Sequence, residues 1–156
     1  MSARTGIGYD SHRLEPGRRF VLAGVEIEHD SGPAAHSDGD VLTHAVIDGL
    51  LGAAGLGDIG MHFPDTDPAY AGADSLDLLR TAVAMARQAG CGVVFVDTTV
   101  VCERPKLGPH RDAIAAGLRG VLDVPVNVKF TTGEGIGFVG RGEGIAALAA
   151  VTVESG

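Results

Sequence analysis

The chain has 156 residues, 45% hydrophobic and 21% charged, which suits one folded domain, leaves no room for a second and excludes wholesale disorder. Twelve Lys and Arg against 20 Asp and Glu give a net charge of −8, a surface that repels polyphosphate backbones and argues against nucleic-acid binding. No apolar leader or membrane-length apolar run is present, and Cys91 and Cys102 form no CxxC motif, so a cytoplasmic protein with no membrane partner is expected.

Residues 5–12 read as a first strand and 19–28 as extended structure with Val25 and Ile27 alternating with acids. Ser37 is the expected N-cap of a helix to Ala54, with Asp38 and Asp40 in its first turn and Leu42, Ala45, Val46 and Leu50 as its apolar stripe. A Gly-punctuated loop, 55–72, carries GLGDIG and FPDTDP. Ser75 is positioned to cap a second helix to Ala89, stopped by Gly90. VVFVDTTVV, 93–101, reads as a buried strand, and residues 109–122 as a third helix. A strand over 126–132, a Gly-rich stretch and a last strand over 145–153 complete the chain. Strands and helices mix without strict alternation, so the spacing predicts an α+β domain: a mixed β-sheet packed with about three α-helices.

Asp10 and His12 are two apart on an extended segment, so both side chains point to one face. Asp40, His44 and Asp48 recur every four residues on the first helix, away from its apolar stripe. Asp10, His12 and His44 together offer one carboxylate and two imidazoles, the ligand set of a catalytic zinc site with an open fourth position. By itself D-x-H is a weak signal: an Asp–His pair is common in a strand turn, and a helix His is usually just solvated. His29, His62 and His110 have no comparable partners.

Residues 131–144, TTGEGIGFVGRGEG, match G-x-G-x-x-G at Gly135, Gly137 and Gly140. A dinucleotide fold is not expected, because only sixteen residues follow Gly140 and they read as a strand where a helix is needed. The Thr131 and Thr132 hydroxyls and backbone N–H groups suit phosphate oxygens, and Glu134 suits a divalent ion; a plain Gly-rich hairpin reads equally well. Asp58, Asp65 and Asp67 beside Phe63 form either a pocket for hydroxylated ligands or a solvated turn. Cys102–Gly108 exposes main chain to a planar base or simply joins strand to helix.

Taken together, AHSDGDVLTHAVIDGLLGAAGLGDIGMHFPDTDP, GADS, GYDSH, PKLGPH and NVKFTTGEGIGFVGRGEGIAA resemble the 2-C-methyl-D-erythritol 2,4-cyclodiphosphate synthase family across nearly the whole chain. The resemblance implies zinc on Asp10, His12 and His44 and a second divalent ion, Mg²⁺ or Mn²⁺, on Glu134. It implies a cytidine diphosphate substrate, 4-diphosphocytidyl-2-C-methyl-D-erythritol 2-phosphate, whose 2-phosphate attacks its own β-phosphorus and releases CMP. His36 and Ser37 would then hold the methylerythritol phosphate end, with His36 and Thr132 stabilising the transition state. Asp10 and His12 also touch substrate; Asp58, Ile59 and Gly60 meet sugar hydroxyls; Phe63, Pro64, Asp65, Thr66 and Asp67 wall the pocket. Cys102, Glu103, Arg104, Pro105, Lys106, Leu107 and Gly108 receive cytosine largely through main chain. Thr131, Thr132, Gly133 and Glu134 meet the diphosphate, with Phe138 and Arg141 as remaining contacts. The resemblance further implies a homotrimer with active sites between subunits. Where the family commonly reads TTTEKLGF this chain has TTGEGIGF, so Gly133 replaces a Thr and Gly135 a Lys. A zinc phosphohydrolase and a non-catalytic binder of isoprenoid diphosphates are the competing readings.

Overall fold

A computed structural model describes residues 1–156. Its longest strand, β1 (Ser2–Pro16), pairs antiparallel with β7 (Gly144–Ser155), the register running from Ser2↔Ser155 to Arg13↔Gly144. Strand β5 (Cys91–Val101) lies antiparallel against the other side of β7, and β6 (Val126–Thr131) runs parallel to β5. A short β4 (Ser31–Pro33) completes a sheet of order β4-β1-β7-β5-β6. The stretch over 19–28 is a separate hairpin of β2 (Phe20–Leu22) and β3 (Val25–Ile27).

The long helices are α1 (Val41–Ala54), α3 (Ser75–Gln88) and α4 (Arg111–Leu122). Two single-turn helices, α2 (Ile59–His62) and α5 (Gly137–Gly140), bring the total to five, where about three were expected. Both lie in Gly-rich loops too short to show apolar periodicity. The α+β class and mixed sheet are as expected. No helix is long and apolar enough to cross a membrane.

The caps differ from the expectation. Asp40, not Ser37, caps α1: its Oδ1 accepts Thr43 N–H at 3.0 Å, and its Oδ2 accepts the Thr43 hydroxyl at 2.8 Å and Gly24 N–H at 3.1 Å. Asp40 is therefore buried outside the helix, not on its open face with His44, and burial pushes its carboxyl up. Asp38 likewise precedes the helix instead of occupying its first turn. Asp74 caps α3 through Leu76 N–H, which frees the Ser75 side chain. Pro109 lies in a 3₁₀ turn ahead of α4, not inside the helix.

Helix α1 is buried on nearly every side, because it packs on β1, β7 and α3 at once. Only His44, Asp48 and Gly52, four apart, escape full burial, so the expected narrow stripe is widened to almost the whole helix. The approach of α1 to β1 is very close. A Cβ on Gly8 would lie 1.7 Å from Ala45 O, and one on Gly6 2.0 Å from Gly49 O. Only glycine lets backbone meet backbone at that distance.

The helices cover one face of the sheet, where Val96, Val100, Ala147, Val151 and Val153 meet Leu42, Leu50, Leu79, Ile114 and Leu118 in one core cluster. The other face is open: Ile7 is 78% exposed, Tyr9 53%, Phe95 42% and Leu148 41%. Strand β5, expected to be buried throughout, is thus covered on one side only, with a register shift between Val93 and Phe95.

Candidate active site

Alternation along β1 turns Gly6, Gly8, Asp10 and His12 to the helix side, and His44 projects toward them from the open stripe of α1. Asp10 Oδ2 lies 2.8 Å from His12 Nε2 and 3.1 Å from His44 Nδ1. One ligand atom from each of the three residues lies within 4.8 Å of the others. A tetrahedral zinc site with bonds of about 2.0 Å sets its ligand atoms about 3.3 Å apart, so the three side chains match such an ion in number, type and spacing.

The hydrogen bonds around the triad agree with this fit. The Ser75 hydroxyl donates to Asp38 Oδ1, so at 2.8 Å from Ser75 Oγ the His44 Nε2–H is the donor; Ser37 Oγ lies 3.0 Å from the same nitrogen. His44 Nδ1 is left facing a carboxylate oxygen, acceptor against acceptor, and a positive species must lie between them: a proton or a metal ion. His12 Nε2, buried and close to the same oxygen, lacks an aligned hydrogen bond. Burial works to raise the Asp10 carboxyl, but the two imidazoles outweigh it and hold it at about 2. Burial likewise works against protonation of His44, and Asp10 beside it prevails, raising its pKa. Ser75 and Asp38, which orient His44, escaped sequence reasoning because a polar residue ahead of a helix reads as a cap.

The triad forms one wall of a cleft of about 430 Å³, a size that suits a small-molecule ligand. His36, Ser37, Ile59, Gly60, Phe63, Pro64 and Asp65 line it too. Of the remaining residues singled out on this loop, Asp58 caps α2 through Met61 N–H at 3.0 Å. Asp67 caps a 3₁₀ turn, and its carbonyl lies 3.0 Å from His36 Nε2. Thr66 is exposed on the turn between Asp65 and Asp67.

The other predicted segments gather elsewhere. Cys102 N–H donates to Thr131 O at 2.9 Å, joining the 102–108 loop to the glycine-rich 131–142 loop. In the first loop Cys102 and Leu107 are buried, Arg104, Lys106 and Gly108 are exposed, and the Arg104–Pro105 peptide is cis. In the second, Thr132 Oγ accepts Glu134 N–H at 3.1 Å, Arg141 pairs with Glu143 at 2.9 Å, and half-exposed Phe138 lies against Gly144. Gly133 has no room for a side chain: a Cβ would lie 2.6 Å from Gly140 N. Thr131 points to the open face of the sheet, opposite to His12. β7 and β5 separate β1 from β6, about 14 Å of sheet at ordinary strand spacing. One chain therefore does not bring the triad and the 131–134 segment into a single cleft.

A mixed-sheet α+β domain with a carboxylate–imidazole triad in a ligand-sized cleft has the build of a small metal-dependent enzyme. The chain belongs to the YgbB family, whose model matches residues 3–154. Over 155 residues it is 56% identical to the 2-C-methyl-D-erythritol 2,4-cyclodiphosphate synthase of Salinibacter ruber, covering 97% of this chain and 99% of that protein. Its fold superposes on the bifunctional IspDF of Campylobacter jejuni with a TM-score of 0.95 at 42% identity, over 99% of this chain and 43% of that longer one. A CDP-bound structure of 2C-methyl-D-erythritol-2,4-cyclodiphosphate synthase matches with a TM-score of 0.89 at 41% identity, over 97% of this chain and the whole of that one.

Proposed function

We propose that this chain carries out the reaction of its relatives. It cyclises 4-diphosphocytidyl-2-C-methyl-D-erythritol 2-phosphate to 2-C-methyl-D-erythritol 2,4-cyclodiphosphate and releases CMP, in isoprenoid precursor biosynthesis. The observation that carries this reading is the Asp10–His12–His44 triad, its three ligand atoms within 4.8 Å of one another in the wall of the cleft.

The nucleophile and the electrophile belong to one substrate, so positioning and charge neutralisation supply most of the rate. When bound, zinc on the triad and Mg²⁺ or Mn²⁺ on Glu134 supply Lewis-acid polarisation of the phosphoryl oxygens. His36 and Ser37, on the cleft wall beside the triad, hold the methylerythritol phosphate end. Ile59, Gly60 and the Phe63–Asp67 turn enclose the sugar, and Asp58 meets its hydroxyls. The Thr131 and Thr132 hydroxyls hold the diphosphate, His36 and Thr132 stabilise the charge that builds on the transferring group, and the 102–108 main chain receives cytosine. Phe138 and Arg141 complete the contacts.

The active unit is a homotrimer with sites between subunits. Two features support this: the open apolar sheet face, and the opposite facing of His12 and Thr131 within one chain. In such an assembly a neighbour's phosphate-binding segment meets this chain's triad across the subunit boundary. Incubating protein, substrate and Mg²⁺ and following phosphorus by NMR tests the reaction. Cyclic diphosphate plus CMP is expected. Inorganic phosphate instead points to a phosphohydrolase, and unchanged substrate to a binding module.

A further inference from the structure

We propose that Glu103 is a positioning residue whose carboxylate locks the glycine-rich loop and thereby fixes the backbone of Glu134. The inference rests on the reading of Glu134 as ligand to the second divalent ion, and deepens it. In that reading the 102–108 segment meets cytosine through its main chain, which leaves the Glu103 side chain without a task.

The structure gives that side chain one. Glu103 Oε1 accepts the N–H of Gly133 at 2.8 Å, and Oε2 accepts the N–H of Gly135 at 3.3 Å. The intervening N–H, that of Glu134, donates to Thr132 Oγ at 3.1 Å. Three successive amides of the loop are thus each taken by a side-chain oxygen. Between the two amides that Glu103 holds, Glu134 sits at φ +52°, followed by Gly135 at φ +78°. A left-handed backbone is unfavourable for a residue with a Cβ, so Glu134 keeps that conformation only where its surroundings hold it.

Backbone N–H groups that converge within a tight turn make an anion cradle, and those of Gly133 and Gly135 do so here. Here a carboxylate of the same chain fills it. The amides of Gly133 and Gly135 are therefore not donors to the substrate diphosphate; that role falls to the Thr131 and Thr132 hydroxyls. The absence of side chains at the two cradle positions fits as well. Gly133 is walled in by Gly140 and Ile136 main chain, and Gly135 is in a conformation that favours glycine. Glycine at both positions, where the family pattern usually has Thr and Lys, suits this tightly wound loop.

The test uses Glu103→Ala and Glu103→Gln in the full chain, with two readouts. Backbone amide exchange at 133 and 135, measured without substrate or divalent ion, is expected to quicken about tenfold or more in Glu103→Ala, since each bond has a charged acceptor. Glu103→Gln, which keeps a single acceptor oxygen, should fall between. The Mn²⁺ concentration that half-saturates binding, followed by electron paramagnetic resonance with the substrate present, should rise about tenfold in Glu103→Ala and less in Glu103→Gln, with zinc content unchanged. Unchanged exchange in both variants overturns the lock. Faster exchange with unaltered Mn²⁺ binding overturns the positioning role. If the parent protein turns over no substrate, the cyclase reading fails, while the exchange measurement still decides whether Glu103 holds the loop.

Discussion

Substituting Gly8 by Ala tests whether the close approach of β1 and α1 builds the triad. The new Cβ would lie 1.7 Å from Ala45 O and 2.8 Å from Gly49 N. Both atoms are backbone, so no rotamer change relieves the clash, and the strand and helix must part by about 1.5 Å to restore ordinary contact. Overpacking of this kind reaches about 3 kcal/mol. At about 2–4 °C per kcal/mol for a chain of this size, the melting temperature should fall by about 6–12 °C. Asp10 is two residues along β1 and His44 is next to Ala45 on α1, so the same parting spreads the ligand set. Zinc content after dialysis should fall with stability. Gly52→Ala is the control: the nearest atom to its Cβ is Gly6 Cα at 3.9 Å, and a helix gains up to about 1 kcal/mol from replacing glycine with alanine. Thermal unfolding and metal analysis of both variants decide the matter. Were Gly8→Ala to melt within 2 °C of the parent with full zinc, by the ~2–4 °C per kcal/mol scale, the reasoning from backbone contact would fail.

Three further outcomes are expected. Cys91 and Cys102 are buried free thiols, and burial pushes Cys102 up to about 12, so iodoacetamide at pH 8 should leave Cys102 unmodified in the folded protein and label both residues after denaturation; rapid labelling of Cys102 in the native state would contradict its burial. His44→Ala should lose zinc with the fold intact, since the side chain lines the cleft and is no part of the apolar core. Reassembled one-to-one with Thr132→Ala plus Glu134→Ala, it should recover about a quarter of parental activity if each site joins two chains. Mixed trimers seen by native mass spectrometry but inactive would place each site within one chain.

What the sequence determined by itself is what short-range geometry controls. The two-residue spacing of Asp10 and His12 put both on one face of a strand, and the strand pattern after the glycine run at 131–144, where a dinucleotide fold needs a helix, argued against a dinucleotide site. The C-terminal end of α1 and the existence of the long helices followed from periodicity, and the motif content carried the family. The tertiary structure alone decided which polar residue does what. Ser37 and Asp40, or Ser75 and Asp74, are interchangeable as caps by sequence; contacts with Gly24, Asp38 and His44 gave the cap to the aspartates and turned Ser75 to the triad. The all-round burial of α1, the open sheet face, the opposite facing of His12 and Thr131 and the hold of Glu103 on the 133–135 amides arise between segments about 30 or more residues apart. Local propensity fixes where a side chain points along its own element, but its partner is fixed by how those elements pack.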